Sequence, residues 1–142
     1  MFETVLVPVD LTPKNRRAVE LARDLAQNVG SEVLLVHVIE TLDLPFEELE
    51  DFYDRLQRQA MLLMEPLVEV LAAADVPVSS HIIFGRRAER VLTFAEENSV
   101  DLMILDSHRV RPGEPGKGLG TLSYQMAILA RCPVLLIKGA GD

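Results

Sequence analysis

Five short apolar runs, separated by stretches with helical spacing, constrain this chain more than anything else in it. "TVLVPVD" (Thr4–Asp10), "EVLLVHVI" (Glu32–Ile39), Val78–Phe84, "VDLMILD" (Val100–Asp106) and "CPVLLIK" (Cys132–Lys138) are rich in Val, Ile and Leu. Most are apolar without alternation, which reads as strands covered on both faces. Between them, Ala18, Val19, Ala22, Leu25, Ala26 and Val29 recur at helical spacing, as do Ala88, Val91, Leu92 and Ala95. Gly120 to Ala130 makes a last helix, with Leu122, Met126 and Leu129 expected on one face. Alternation of this kind gives an α/β fold: an open five-stranded parallel sheet with helices on both faces, a Rossmann-like three-layer sandwich. At 142 residues the whole chain, 1–142, is expected to be one domain with a substantial core.

Local signals place the element ends. Thr12-Pro13 reads as an N-cap followed by a first-turn proline, and Gly30 as the helix stop. Thr41 to Pro45 is a connector. The helical pattern from about Phe46 to Ala74 contains Pro66, which removes a backbone donor and predicts a kink or break near Leu62. Leu49, Phe52, Tyr53 and Leu56 read as a core-facing stripe near an acidic helix start; docking of an unidentified protein partner is the lesser reading.

Composition removes several functions. A net charge of −8 argues against nucleic acid and anionic membrane surfaces. No run approaches the roughly 20 apolar residues of a membrane span, and the start lacks signal-peptide character, so the cytoplasm is expected. Three scattered histidines and a lone Cys132 make no metal-ligand pattern. His37 reads as a hydrogen-bonded core histidine and Cys132 as a small buried residue. Ser107-His108 is no dyad, because neighbours in extended chain point to opposite sides.

In an open parallel sheet, ligands sit beyond the carboxyl ends of the strands. That directs attention to Asp10, Ile39-Glu40, Phe84-Gly85 and Asp106. The glycine-rich segment "DSHRVRPGEPGKGLGT" follows the fourth strand. It is not a Walker loop: Gly116-Lys117 precedes Gly118, not Ser or Thr. Nor is there a dinucleotide fingerprint after the first strand, or the aspartate a phosphorelay receiver needs after the third. Gly120-Thr121-Leu122-Ser123 opens a helix, whose free N–H groups and hydroxyls favour an anion; plain capping by Thr121 is the simpler reading.

"VLVPVDLTPKNRRAVELARDLA", "LLVHVIE", "FGRRAERVLTFAEENSVDLMIL" and "GTLSYQMAILARCPVLLIK", in this order, resemble a universal stress protein of the UspA type over nearly the full length. The resemblance implies strand order 3-2-1-4-5, with Asp10 and Asp106 flanking the crevice. It implies that Val9 and Asp10 lie on the nucleoside side of a nucleotide pocket, that Val38 and Leu105 form its apolar wall, and that Gly120, Thr121, Leu122 and Ser123 meet phosphate. It further implies a homodimer through the last strand, Val134 to Ile137.

Departures from the family's glycine pattern fall in the pocket. Asp106 and Arg109 stand where two glycines belong, and ten residues rather than nine, 110 to 119, separate Arg109 from Gly120. A carboxylate ~4 Å from a phosphate charge costs roughly 4 kcal/mol at an effective dielectric of ~20, about a thousandfold in affinity. The expectation is a non-catalytic stress-response module with a degenerate nucleotide pocket and no assured cofactor. The alternative is a regulator that binds ATP with Mg²⁺ through the altered loop, with slow hydrolysis.

Overall fold

The computed structural model describes residues 1–41, 46–107 and 121–138. The connector at 42–45 and the segment 108–120, which carries His108, Arg109 and Gly120, lie outside the described residues. The elements are β1 (Thr4–Pro8), α1 (Asn15–Val29), β2 (Glu32–Glu40), a 3₁₀ turn (Phe46–Leu49), α2 (Glu50–Ala72), β3 (Val78–Gly85), α3 (Arg87–Glu97), β4 (Leu102–Ser107), α4 (Leu122–Leu129) and β5 (Val134–Lys138). The five strands form one parallel sheet in the order β3-β2-β1-β4-β5.

The continuous apolar runs follow from this arrangement. Successive side chains of a strand point to opposite faces, and here both faces are covered. Val5 and Val7 of β1 and Val9 just beyond it, with Val33, Leu35 and Ile104, pack on α1 and α2. Leu6, Val36, Val38, Met103 and Leu105 pack beneath α3 and α4. Gly30 ends α1 in the left-handed conformation (φ 77°), with its N–H bonded to the Ala26 carbonyl at 2.8 Å.

Pro8 shapes the sheet as well as ending a strand. The Thr4 carbonyl accepts from the Asp101 amide, so Thr4 directs its backbone groups toward β4. Backbone direction alternates along a strand, so residue 8 faces β4 too, and proline has no N–H to offer there. The β1–β4 register runs only from Val5↔Leu102 to Leu6↔Met103. On the outer sides, β1 stays paired with β2 as far as Pro8↔Val36, and β4 with β5 as far as Ser107↔Lys138. The central ladder stops first, and a crevice opens there.

Four local expectations need correction. Thr12 does not cap α1, which begins three residues later at Asn15; the Thr12 hydroxyl donates instead to Asp10. Pro66 does not break α2, a continuous helix of 23 residues. The carbonyl that loses its partner belongs to Leu62, which is 66% exposed, so water can take the bond. Leu129 is exposed beside Ile128, while Met126 alone of the expected α4 face is fully buried. Of the acidic-helix stripe, Tyr53 is buried and stacks edge-on against Phe84 at 5.9 Å, but Phe52 is exposed.

Candidate functional site

Asp10 opens the turn after β1, and its Oδ1 accepts from the Thr12 amide (3.0 Å) and the Thr12 hydroxyl (2.6 Å). This is the local turn that aspartate favours. Leu11 takes positive φ (64°), a conformation costing roughly 1–2 kcal/mol for a residue with a Cβ. Asn15 holds the turn in place. Its Oδ1 accepts from the Leu11 amide (2.7 Å) and the Thr12 amide (3.2 Å), and its Nδ2 donates to Asp106 Oδ2 (3.2 Å). Only 4% exposed, Asn15 ties the tips of β1 and β4 together through one amide.

The two carboxylates respond oppositely to their surroundings. Burial pushes the Asp10 carboxyl up, but the hydrogen bonds of Thr12 and Asn15, with the Arg87 charge, outweigh it and hold the group below its ordinary value. Burial also pushes Asp106 up, and Asp10 adds to the rise. The Asn15 bond and the charges of Arg17 and Lys14 only partly oppose it, so Asp106 stays above its ordinary value.

A cleft of about 320 Å³ lies beyond the strand ends, where the order reverses. Val9, Asp10, Val38, Leu105, Asp106, Thr121, Leu122 and Ser123 all line it. Arg109 and Gly120 lie outside the described residues. Thr121 is the N-cap of α4: its Oγ1 accepts from the Tyr124 amide at 3.3 Å. The same hydroxyl lies 3.2 Å from that of Ser123, which is 6% exposed. Capping and cleft lining are therefore properties of one residue.

Asn15 and Arg87, also in the lining, were not among the sequence candidates. Arg87 follows the Phe84-Gly85 strand tip and pairs with Glu40 at 3.3 Å, across the Ile39-Glu40 tip. Gly85 permits that turn with φ of 138°, while a Cβ there would sit 2.7 Å from Arg90 Cγ. An asparagine at the start of the first helix, five residues after Asp10, was the available signal for Asn15. A second hollow of about 350 Å³ adjoins the first, sharing Asp10, Val38 and Arg87.

The remaining sequence candidates are structural. His37 Nδ1 lies 2.8 Å from the Val9 carbonyl, which sets the ring as the donor. Cys132 is half-buried, and burial pushes its thiol up, away from a reactive thiolate. Ser107 Oγ accepts from the Lys138 ammonium at 3.3 Å. Among the described residues no group of three or more His, Cys, Asp or Glu could hold a metal, and no helix is long and apolar enough to cross a membrane.

An open parallel sheet with a polar cleft at the β1–β4 switch point defines a doubly covered α/β protein, and the switch point is where such sheets place ligands. The model of the universal stress protein family matches residues 1–138, and the chain belongs to that family. A universal stress protein of Thermus aquaticus is 31% identical over 144 residues, covering 97% of this chain and all of the relative. The structure of protein MJ0577 of Methanocaldococcus jannaschii superposes with a TM-score of 0.82 at 24% identity, covering 100% and 99% of the two chains. Two further structures share the fold. One is a universal stress protein in complex with cAMP (TM-score 0.70, 17% identity, 96% and 97% covered). The other comes from Archaeoglobus fulgidus, in complex with dAMP (TM-score 0.71, 18% identity, 96% and 98% covered).

Proposed function

We propose that this universal stress protein is a non-catalytic regulatory module that binds an adenine nucleotide weakly in the β1–β4 cleft and acts as a cytoplasmic homodimer. One observation carries the nucleotide reading: Asp10, Asp106 and the start of α4, far apart in sequence, line one cleft at the switch point of the sheet. Relatives of the same fold hold cAMP and dAMP, which supports the ligand class. The weakness follows from charge. Asp106 occupies the position of a family glycine, beside the helix start that phosphate would use. Calorimetry with ATP and Mg²⁺ should give a dissociation constant weaker than ~10 µM, about −7 kcal/mol. Tighter binding favours the alternative of an ATP-binding regulator with slow hydrolysis, for which the hydroxyls of Thr121 and Ser123 speak. No heat with AMP, cAMP or ATP at millimolar concentration removes the nucleotide reading.

The dimer reading rests on β5. It is an edge strand, and Leu135 is 40% exposed on it. A bare apolar edge invites pairing, and a symmetric partner would cover it. Sedimentation at micromolar concentration should show a dimer that Leu135→Lys shifts to monomer. A wild-type monomer under those conditions sinks this part.

A further inference from the structure

We propose that the cleft selects a nucleoside with a free 2′,3′-diol, and that Asp106 is the specificity-determining residue, accepting from the sugar hydroxyls and excluding polyphosphate. This rests on the reading of the cleft as a nucleotide-class site.

The side chain of Asp106 is aimed by Asn15. The Asn15 amide cannot turn over: its Oδ1 is engaged by the Leu11 and Thr12 amides, so Nδ2 must face Asp106 Oδ2. That holds one carboxylate oxygen. Among the described residues no other group donates to Asp106, which lines the cleft. An ionised carboxylate accepts and never donates, so its complement is a donor. A ribose diol brings two hydroxyl donors; a carboxylate on the ribose 2′-OH is a common solution in parallel α/β sheets. A phosphate brings acceptors and negative charge.

The surrounding charge works in the same direction. Asp10 and Asp106 both line the cleft, and the cation among the described lining residues, Arg87, is already paired with Glu40 at 3.3 Å. Lys14 and Arg17 act on Asp106, yet burial and Asp10 prevail over them. A position that disfavours its own negative charge also disfavours a ligand's. Val36, Val38, Val91, Leu105 and Leu122 give the cleft apolar walls suited to a flat base. The volume, about 320 Å³, is at the small end for ligand pockets.

The test is calorimetry at neutral pH on the full chain with adenosine, 2′-deoxyadenosine and ATP, using wild type, Asp106→Asn and Asp106→Ala. Wild type should bind adenosine ~10-fold or more tighter than ATP, and 2′-deoxyadenosine ~10-fold more weakly than adenosine, the range of a hydrogen bond to a charged group. In Asp106→Ala the penalty for the missing hydroxyl should disappear. In Asp106→Asn the affinity for ATP should rise ~10-fold or more. Wild type binding ATP more tightly than adenosine, or treating the two nucleosides alike, overturns the proposal while leaving a nucleotide site in place. The wild-type comparison needs no variant to fold. If neither adenosine nor ATP binds, the nucleotide reading falls, and this proposal with it.

Discussion

The tips of β1 and β4 are neighbours in space, and an aspartate stands at each, but their carboxylates do different work. Asp10 is consumed by its own turn, where Oδ1 takes both the hydroxyl and the amide of Thr12. Asp106 has a single partner among the described residues, and it comes from another element. The first is held below its ordinary pKa and the second above it. Two identical residues, joined through one asparagine, thus divide into a structural acid and an available one. What separates them is the local supply of donors. A carboxylate at the start of a turn finds free amides within two residues. One at the end of a strand, whose backbone is already paired with β5, finds none.

Removing the link should have the largest effect. Asn15→Ala strips the acceptor from the Leu11 and Thr12 amides and the donor from Asp106. Stability should fall by about 1–3 kcal/mol, measured by denaturant unfolding, because the partly buried Leu11 amide is left unmet while the Thr12 amide keeps Asp10. A loss below ~0.5 kcal/mol would mean that water replaces the amide and that the two tips are not coupled through it.

The two aspartates should then respond to amide substitution with opposite signs. A folded pKa below the unfolded value means stabilisation present above that value and lost as pH falls through the folded pKa; this is Asp10. A folded pKa above the unfolded value means that the ionised group costs stability at neutral pH, a cost relieved as pH falls through the folded pKa; this is Asp106. Asp10→Asn should therefore lower the melting temperature at neutral pH, and Asp106→Asn should raise it or leave it unchanged. Both differences should shrink in acid, and solvent screening keeps each below about 1 kcal/mol. Equal losses from both variants would erase the distinction between the tips.

The smallest effect sharpens the contrast most directly. Thr12→Val removes one donor from Asp10 and touches nothing of Asp106. Carboxyl titration followed by NMR should show Asp10 rising toward its ordinary value while Asp106 stays in place. Stability should change by less than about 1 kcal/mol. Movement of both groups would show that the pair titrates as one unit.

Much of this was legible in the chain because it depends on near neighbours. Val5-Leu6-Val7 and Val33 to Val36 announce strands with two covered faces, and the spacing from Ala18 to Ala26 announces a helix packed on one of them. Gly30 marks a stop through its own backbone freedom. Asp10 and Asp106 were visible as strand tips from order alone, and the resemblance to the family added Val9, Val38, Leu105, Thr121, Leu122 and Ser123 to the cleft's lining. Errors arose where a competing partner or exposure to solvent overrode the local signal. Thr12 looks like a cap to its neighbours but is recruited by Asp10. Leu129 completes an apolar stripe on paper but lies exposed in the fold. Pro66 threatens a helix whose lost bond falls on the solvent side.

The sequence by itself determined the alternation of strands and helices, the layers that follow from it, and the strand tips at which the cleft lies. Periodicity and turn chemistry act over a few residues, and a reader of the chain meets them in order. Only the tertiary structure decided that Pro8 turns its missing donor toward β4 and ends the central ladder early. It alone placed Asn15 against a carboxylate 91 residues away, and Arg87 across from Asp10 in the same cleft. Such roles depend on direction and approach between elements, which arise only when the sheet assembles.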